Sequence, residues 1–221
     1  MKRFIKDNRG FLVFLCCFAL FRTAVADWNP VPSGSMRPSL LEGDVVLVNR
    51  LAYDLKLPLT DIVLAHLGEP QRGDVVTFSS PKNGTRLIKR LIGLPGDTVE
   101  MRNEKLLING IEAEYDHAQN LEEPLGNGEH IPALRLTENF ADYSHRMQIL
   151  DGMQQHSNFG PLKVPQGEYL MLGDNRDNSA DSRFFGFVPR KLIIGHAHHI
   201  LVSADILSNW MPRWDRFGQR L

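Results

Sequence analysis

The apolar and polar positions divide this chain into an apolar N-terminal stretch, a series of short β-patterned runs and one long polar interval. Phe11 to Phe21 runs almost without a polar side chain, behind Met1-Lys2-Arg3-Phe4-Ile5-Lys6-Asp7-Asn8-Arg9 with its four cations and one anion. Cations ahead of an apolar run keep that flank in the cytoplasm, so everything beyond the run is expected across the membrane. The stretch fits two readings. Ala24-Val25-Ala26 has the small-residue spacing of a secretory cleavage site, which suits a removable signal peptide. A retained anchor would be short of the roughly 20 residues a spanning helix wants, with Arg22 snorkelling and Trp28 at the interface. The hydroxyl-rich segment that follows favours the anchor. The expected organisation is therefore a cytoplasmic N-terminus over 1–10, a single-pass anchor over 11–26 and an extracytoplasmic domain over 27–221.

Beyond Pro32 the pattern predicts a mainly β fold. Asp44-Val45-Val46-Leu47-Val48, Asp74-Val75-Val76-Thr77-Phe78 and Leu87-Ile88-Lys89-Arg90-Leu91-Ile92 are β-branched or apolar runs bounded by Gly, Pro or Asp. Asn109-Gly110 between apolar flanks predicts a hairpin. Tyr169–Leu172 and His199–Val202 read as late core strands. From about 112 to 162 acidic, amide and His residues dominate, which predicts a loosely structured insertion or small subdomain outside the core. The tail from Asp205 to Leu221 mixes Trp210, Met211, Trp214 and Phe217 with Arg213, Arg216 and Arg220. It is expected to cover the sheet as a terminal helix or coil.

Composition narrows the function classes. The chain has 221 residues, 43% of them apolar and 23% charged, with formal net charge −1. Without a basic footprint, nucleic acid is not an expected partner. The two cysteines, Cys16 and Cys17, are adjacent and lie in the apolar stretch, so a domain over 27–221 can fold in an oxidising compartment with no disulfide.

Candidate chemistry sits in three separated segments. In Pro32-Ser33-Gly34-Ser35-Met36-Arg37-Pro38, Ser33 and Ser35 leave one face of an extended backbone, and Gly34 allows close approach of a substrate. One hydroxyl could attack while the other, with the attacking residue's N–H, stabilises an oxyanion; the same residues also suit an ordinary turn. No histidine lies nearby. Lys89 shares a strand face with Leu87 and Leu91, and burial there would lower its pKa enough for a base; the competing reading is a solvated edge-strand lysine. Arg90 faces the other way, as an ion-pair residue. The third segment, Gly173-Asp174-Asn175-Arg176-Asp177-Asn178-Ser179-Ala180-Asp181-Ser182-Arg183, fails as a calcium loop, with Arg176 at a ligand position and Ser179 where the turn needs glycine. It reads instead as a hydrogen-bonded loop in which an Asp181–Arg183 pair fixes Ser179 near the amine. His196, His198 and His199 read as structural, and no metal or cofactor is expected. Neither a P-loop nor a dinucleotide fingerprint is present.

These segments, in this order, resemble the bacterial type I signal peptidases, membrane-bound leader peptidases with a Ser/Lys dyad. Pro32–Leu40 is similar to the family's nucleophile box. Arg72–Val76 with Ile88–Asp97 is similar to its middle boxes, and Gly173–Gly186 to its last. The resemblance implies an antiparallel β fold near the inner-membrane surface. It implies Ser35 as nucleophile, Lys89 as general base, Ser33 as oxyanion donor, Ser179 as orienter of the lysine, and Asp181 and Arg183 as supports. The implied substrates are exported preproteins, delivered from the export translocon at the lipid surface, with small residues at −1 and −3. By position, Met36, Leu40 and Ile88 would line the −1 pocket, and Val31 and Val46 the −3 pocket. Asp27-Trp28-Asn29 departs from the family's more apolar approach to the nucleophile box. The rivals are a relative dedicated to one pilin or transfer-system precursor, and an inactive tethered binder of exported segments.

Overall fold

The computed structural model describes residues 7–58, 60, 62–124, 129–140, 143–153 and 157–221; the cations expected to orient the N-terminus within residues 1–6 lie outside them. Helix α1, Arg9–Ala24, contains the whole apolar stretch between Arg9 and Arg22 and buries none of its residues. Sixteen residues rise about 24 Å, against a hydrocarbon core of about 30 Å. Among the described residues no helix is long and apolar enough to cross a membrane. The anchor expected over 11–26 coincides with this helix, which has the same sixteen-residue length and lies two residues nearer the N-terminus. It ends at Ala24 because the chain turns directly into a strand at Ala26.

The strands in chain order are β1 (Ala26–Pro30), β2 (Asp44–Asn49), β3 (Asp54–Lys56), β4 (Val63–His66), β5 (Val75–Ser79), β6 (Arg86–Gly93), β7 (Thr98–Arg102) and β8 (Lys105–Ile108), followed by β9 (Ile111–Glu112), β10 (Glu114–Pro124), β11 (His130–Asn139), β12 (Ser144–Leu150), β13 (Phe159–Lys163), β14 (Glu168–Leu172), β15 (Val188–Pro189) and β16 (Ile193–Ser203). A short helix α2, Ser182–Phe185, precedes β15. The principal sheet has the order β1-β2-β16-β5-β6-β14-β15, and all its pairings are antiparallel. The mainly β, antiparallel architecture matches the expectation. Alternation explains the registers: in β2 Val46 and Val48 point inward, and both are fully buried. Asn109 and Gly110 both take positive φ, 53° and 81°, as a two-residue hairpin between β8 and β9 requires.

One register matters for the site. β6 pairs with β5 from Arg86 to Arg90, but with β14 only from Arg90 to Gly93. Among the described residues the Arg86–Lys89 end therefore has no strand on its β14 side.

The 112–162 interval is more ordered than its polar composition suggests. β10, β11 and β12 form an antiparallel sheet, and β13 pairs with β7. Glu123, Glu138, His145 and Gln148 are buried in it. Such polar groups can be buried when they are paired: Glu138 takes both arms of Arg176 and the Tyr115 hydroxyl, and Glu123 takes Arg37 and Arg135. The tail is a coil, with one turn at Trp214–Arg216, lying along β16. Its backbone exchanges bonds with Ile200, and Arg216 pairs with buried Asp44 at 2.6 Å.

Candidate active site

The site forms where the open end of β6 meets a tight turn and the loop after β14. Gly34–Met36 is a single 3-10 turn entered from extended Ser33, φ −139° and ψ 154°. It presents the Ser35 hydroxyl 2.5 Å from Lys89 Nζ. Ser33 Oγ lies 3.5 Å from Ser35 Oγ on the solvent side.

Lys89 is 3% exposed. Its ammonium pKa is lowered to about 8, chiefly by burial; Asp181 and Asp174 pull it upward and Arg183 adds to the lowering. No carboxylate pairs with it directly, so a large part of the amine is neutral near pH 8. A hydroxyl in contact with a buried amine of this kind is equipped for nucleophilic chemistry without histidine.

The loop after β14 holds this arrangement. Asp181 is fully buried and caps α2. It accepts from Arg183 Nε and Nη2, each at 2.8 Å, and from the Gly173 N–H at 3.0 Å. Gly173 is a close-approach glycine: a Cβ there would stand well inside 3.0 Å of Ser179 Oγ and 2.5 Å from the Ser35 carbonyl. Ser179 is thus packed against the turn that carries Ser35. Its Oγ is buried without a hydrogen-bond partner, however, so no direct bond joins it to Lys89. Arg90, on the opposite face of β6 from its neighbour Lys89, grips Asp174 with Nε and Nη2 at 2.8 and 2.7 Å and reaches the Gly73 carbonyl with Nη1.

A cleft of about 280 Å³ opens from Ser35 and Lys89, lined by Val31, Ser33, Val46, Thr77, Ile88 and, at its outer end, Asn29 and Arg86. Three of the five residues expected to shape substrate pockets therefore lie on it. Met36 and Leu40 are not among its lining residues; both are fully buried in the core cluster that also holds Val31 and Val46. At the outer end buried Asp27 accepts from Arg22 at 3.1 Å and Arg86 at 2.9 Å, and Arg86 also donates to Asn29. A larger hollow of about 600 Å³ on the β10–β12 sheet contains no nucleophile beside a base. Among the described residues no cluster of His, Cys, Asp and Glu is arranged to hold a metal.

Asn175 and Glu123 were not marked by the sequence pattern, although both touch the nucleophile turn. Asn175 donates from its backbone to the Ser35 carbonyl at 3.2 Å and from Nδ2 to the Gly34 carbonyl at 3.0 Å. It stands inside the polar loop, and its signal was lost among equally polar neighbours.

The chain is similar to known proteins over most of its length. Residues 2–202 match the family described as "Signal peptidase, peptidase S26". The "Signal peptidase I" of Pseudomonas aeruginosa is 33% identical over 97% of this chain and 78% of its own length. That of Rickettsia typhi is 33% identical over 96% of this chain and 83% of its own. A signal peptidase I from Enterococcus faecalis, known as a crystal structure, is 36% identical and covers 58% of this chain and 96% of its own, with a TM-score of 0.35. The chain belongs to the S26 signal peptidases.

Proposed function

We propose that this signal peptidase cuts exported preproteins after an Ala-x-Ala segment, with Ser35 as nucleophile and Lys89 as general base. The observation that carries the reading is the 2.5 Å approach of Lys89 Nζ to Ser35 Oγ in a site where burial lowers the amine's pKa to about 8. The preprotein lies extended along the unpaired end of β6, where main-chain bonds give affinity and alternate side chains give selectivity. Val31, Val46 and Ile88 leave room for small side chains only.

Neutral Lys89 takes the Ser35 proton as the hydroxyl attacks the carbonyl of residue −1. The oxyanion accepts bonds from the Ser35 N–H and the Ser33 hydroxyl. Lys89 then returns the proton to the departing amine, leaving an ester on Ser35. Water, deprotonated by Lys89, hydrolyses that ester and frees the enzyme. Asp181 and Arg183 fix the loop that supports Ser35 and Lys89, Ser179 packs against Gly173, which faces the Ser35 carbonyl, and Arg90 braces β6 through Asp174.

The mature enzyme works at the bacterial inner membrane with α1 in the bilayer, the N-terminus cytoplasmic and residues 27–221 outside. Support comes from α1 being apolar all round from Phe11 to Phe21 and from Arg22 resting 4.4 Å over the Trp28 ring, an interfacial pairing directly ahead of the cleft. The test is cleavage of an Ala-x-Ala precursor by the wild type and by Ser35→Ala and Lys89→Ala. Loss of cleavage in both, with the fold retained, is expected; unchanged processing by Lys89→Ala would defeat the mechanism.

A further inference from the structure

A turn of three residues has little stiffness of its own. Within Gly34–Met36 the closing bond is Arg37 N–H to the Gly34 carbonyl, at 3.1 Å, so the direction of the Ser35 hydroxyl is set from outside. Asn175 holds one side of the turn. On the other side Arg37, two residues beyond Ser35, is gripped by two carboxylates: Nε donates to Glu42 at 2.8 Å and Nη1 to Glu123 at 2.5 Å.

Glu123 is not a surface partner. It lies on β10, is 3% exposed and gives its other oxygen to Arg135 of β11. A buried carboxylate is tolerable only while it is fully paired, which fixes both arginines on it. The β10–β12 sheet is joined to the other side of the turn as well. Gln148 of β12 donates to the Asp174 carbonyl at 2.9 Å and accepts from the Arg176 N–H at 3.0 Å, alongside Asn175.

We propose that Glu123 is a positioning residue for Ser35: through Arg37 it locks the nucleophile turn against the β10–β12 sheet, making that sheet part of the catalytic apparatus. The proposal rests on the Ser35/Lys89 reading. It predicts a loss in the chemical step with substrate binding intact, since Glu123 lies behind the turn, outside the cleft's lining.

The experiment measures kcat and KM on an Ala-x-Ala precursor for wild type, Glu123→Gln, Arg37→Met, the double variant, and Glu122→Gln on the exposed face of the same strand. Rates are normalised to folded protein by circular dichroism. Ser35→Ala is run beside them. Glu123→Gln is expected to lower kcat by about 10- to 100-fold, the scale of an ångström-sized misplacement, with KM little changed. Glu123→Asp is expected to recover part of the loss, Glu122→Gln to match wild type, and the double variant to be no slower than the slower single one. A wild-type kcat for Glu123→Gln, or additive losses in the double variant, would overturn the proposal while an inactive Ser35→Ala leaves the dyad standing. Full cleavage by Ser35→Ala would remove the dyad and the clamp together. If Glu123→Gln does not fold, Arg37→Lys carries the same test. It keeps the charge but loses the fork, and an unchanged kcat overturns the proposal.

Discussion

Gly173 and Ser179 are packed so closely that the backbone of one leaves no room for a methyl group beside the hydroxyl of the other. The same glycine faces the Ser35 carbonyl and donates its N–H to Asp181. One residue without a side chain thus lets the loop, the nucleophile turn and the buried ion pair meet. Gly173→Ala is expected to push the Ser35 turn outward and to lower kcat by about 100-fold. Steady-state kinetics on the folded variant checks this; a rate near wild type would mean that the turn can shift without consequence.

Arg90 and Asp174 form a two-pronged pair in which both side chains are nearly inaccessible, 7% and 1% exposed. Removing one partner strands the other's charge in the interior. Arg90→Met is expected to destabilise the fold by about 3–5 kcal/mol, measured by urea unfolding, and the double variant Arg90→Met/Asp174→Leu to be less harmed than the single one.

Burial of Lys89 also costs stability. Its ammonium loses a proton near pH 8 in the folded state and near 10.5 when exposed. Below pH 8 both states carry the proton and the penalty is at its full value, about 3 kcal/mol. Between 8 and 10.5 the unfolded chain binds more protons than the native one, so stability rises with pH and the penalty fades. Lys89→Met is therefore expected to be more stable than wild type at pH 7 and to lose that advantage by pH 10.5, as equilibrium unfolding at the two pH values would reveal.

Ile88 lines the cleft beside Lys89. Ile88→Ala is expected to let a larger side chain occupy −1, raising the ratio of kcat/KM for Val over Ala at that position by about tenfold, the scale of a few methylenes in an apolar pocket. An unchanged ratio would place the −1 pocket elsewhere.

What could be read from the sequence was local. The short apolar runs became β2, β5, β6, β14 and β16, because β-branched or apolar runs and bounding turn residues need no distant partner. Asn109-Gly110 declared its hairpin for the same reason. The buried acids of β10 and β11 were illegible, since Glu123 and Glu138 look solvated until Arg37 and Arg176 arrive from remote segments and β11 brings Arg135 alongside. Met36 and Leu40 were placed on the pocket by the resemblance of their segment to the family's nucleophile box; both lie in the core cluster that also holds Val31 and Val46. The expected hold of Ser179 on the lysine had a related weakness: a loop's place in the sequence does not give a side chain's direction, and the Ser179 Oγ is buried without a hydrogen-bond partner.

The central claim is that a lysine kept from water serves as the base, and the pH dependence of kcat/KM tests it most directly. With Lys89 titrating near 8, kcat/KM on an Ala-x-Ala precursor is expected to fall tenfold per pH unit well below that value and to level off above it, because the free-enzyme profile reports the essential base. A profile flat from about pH 6 to 9, or one left in place by Lys89→Ala, would contradict the account.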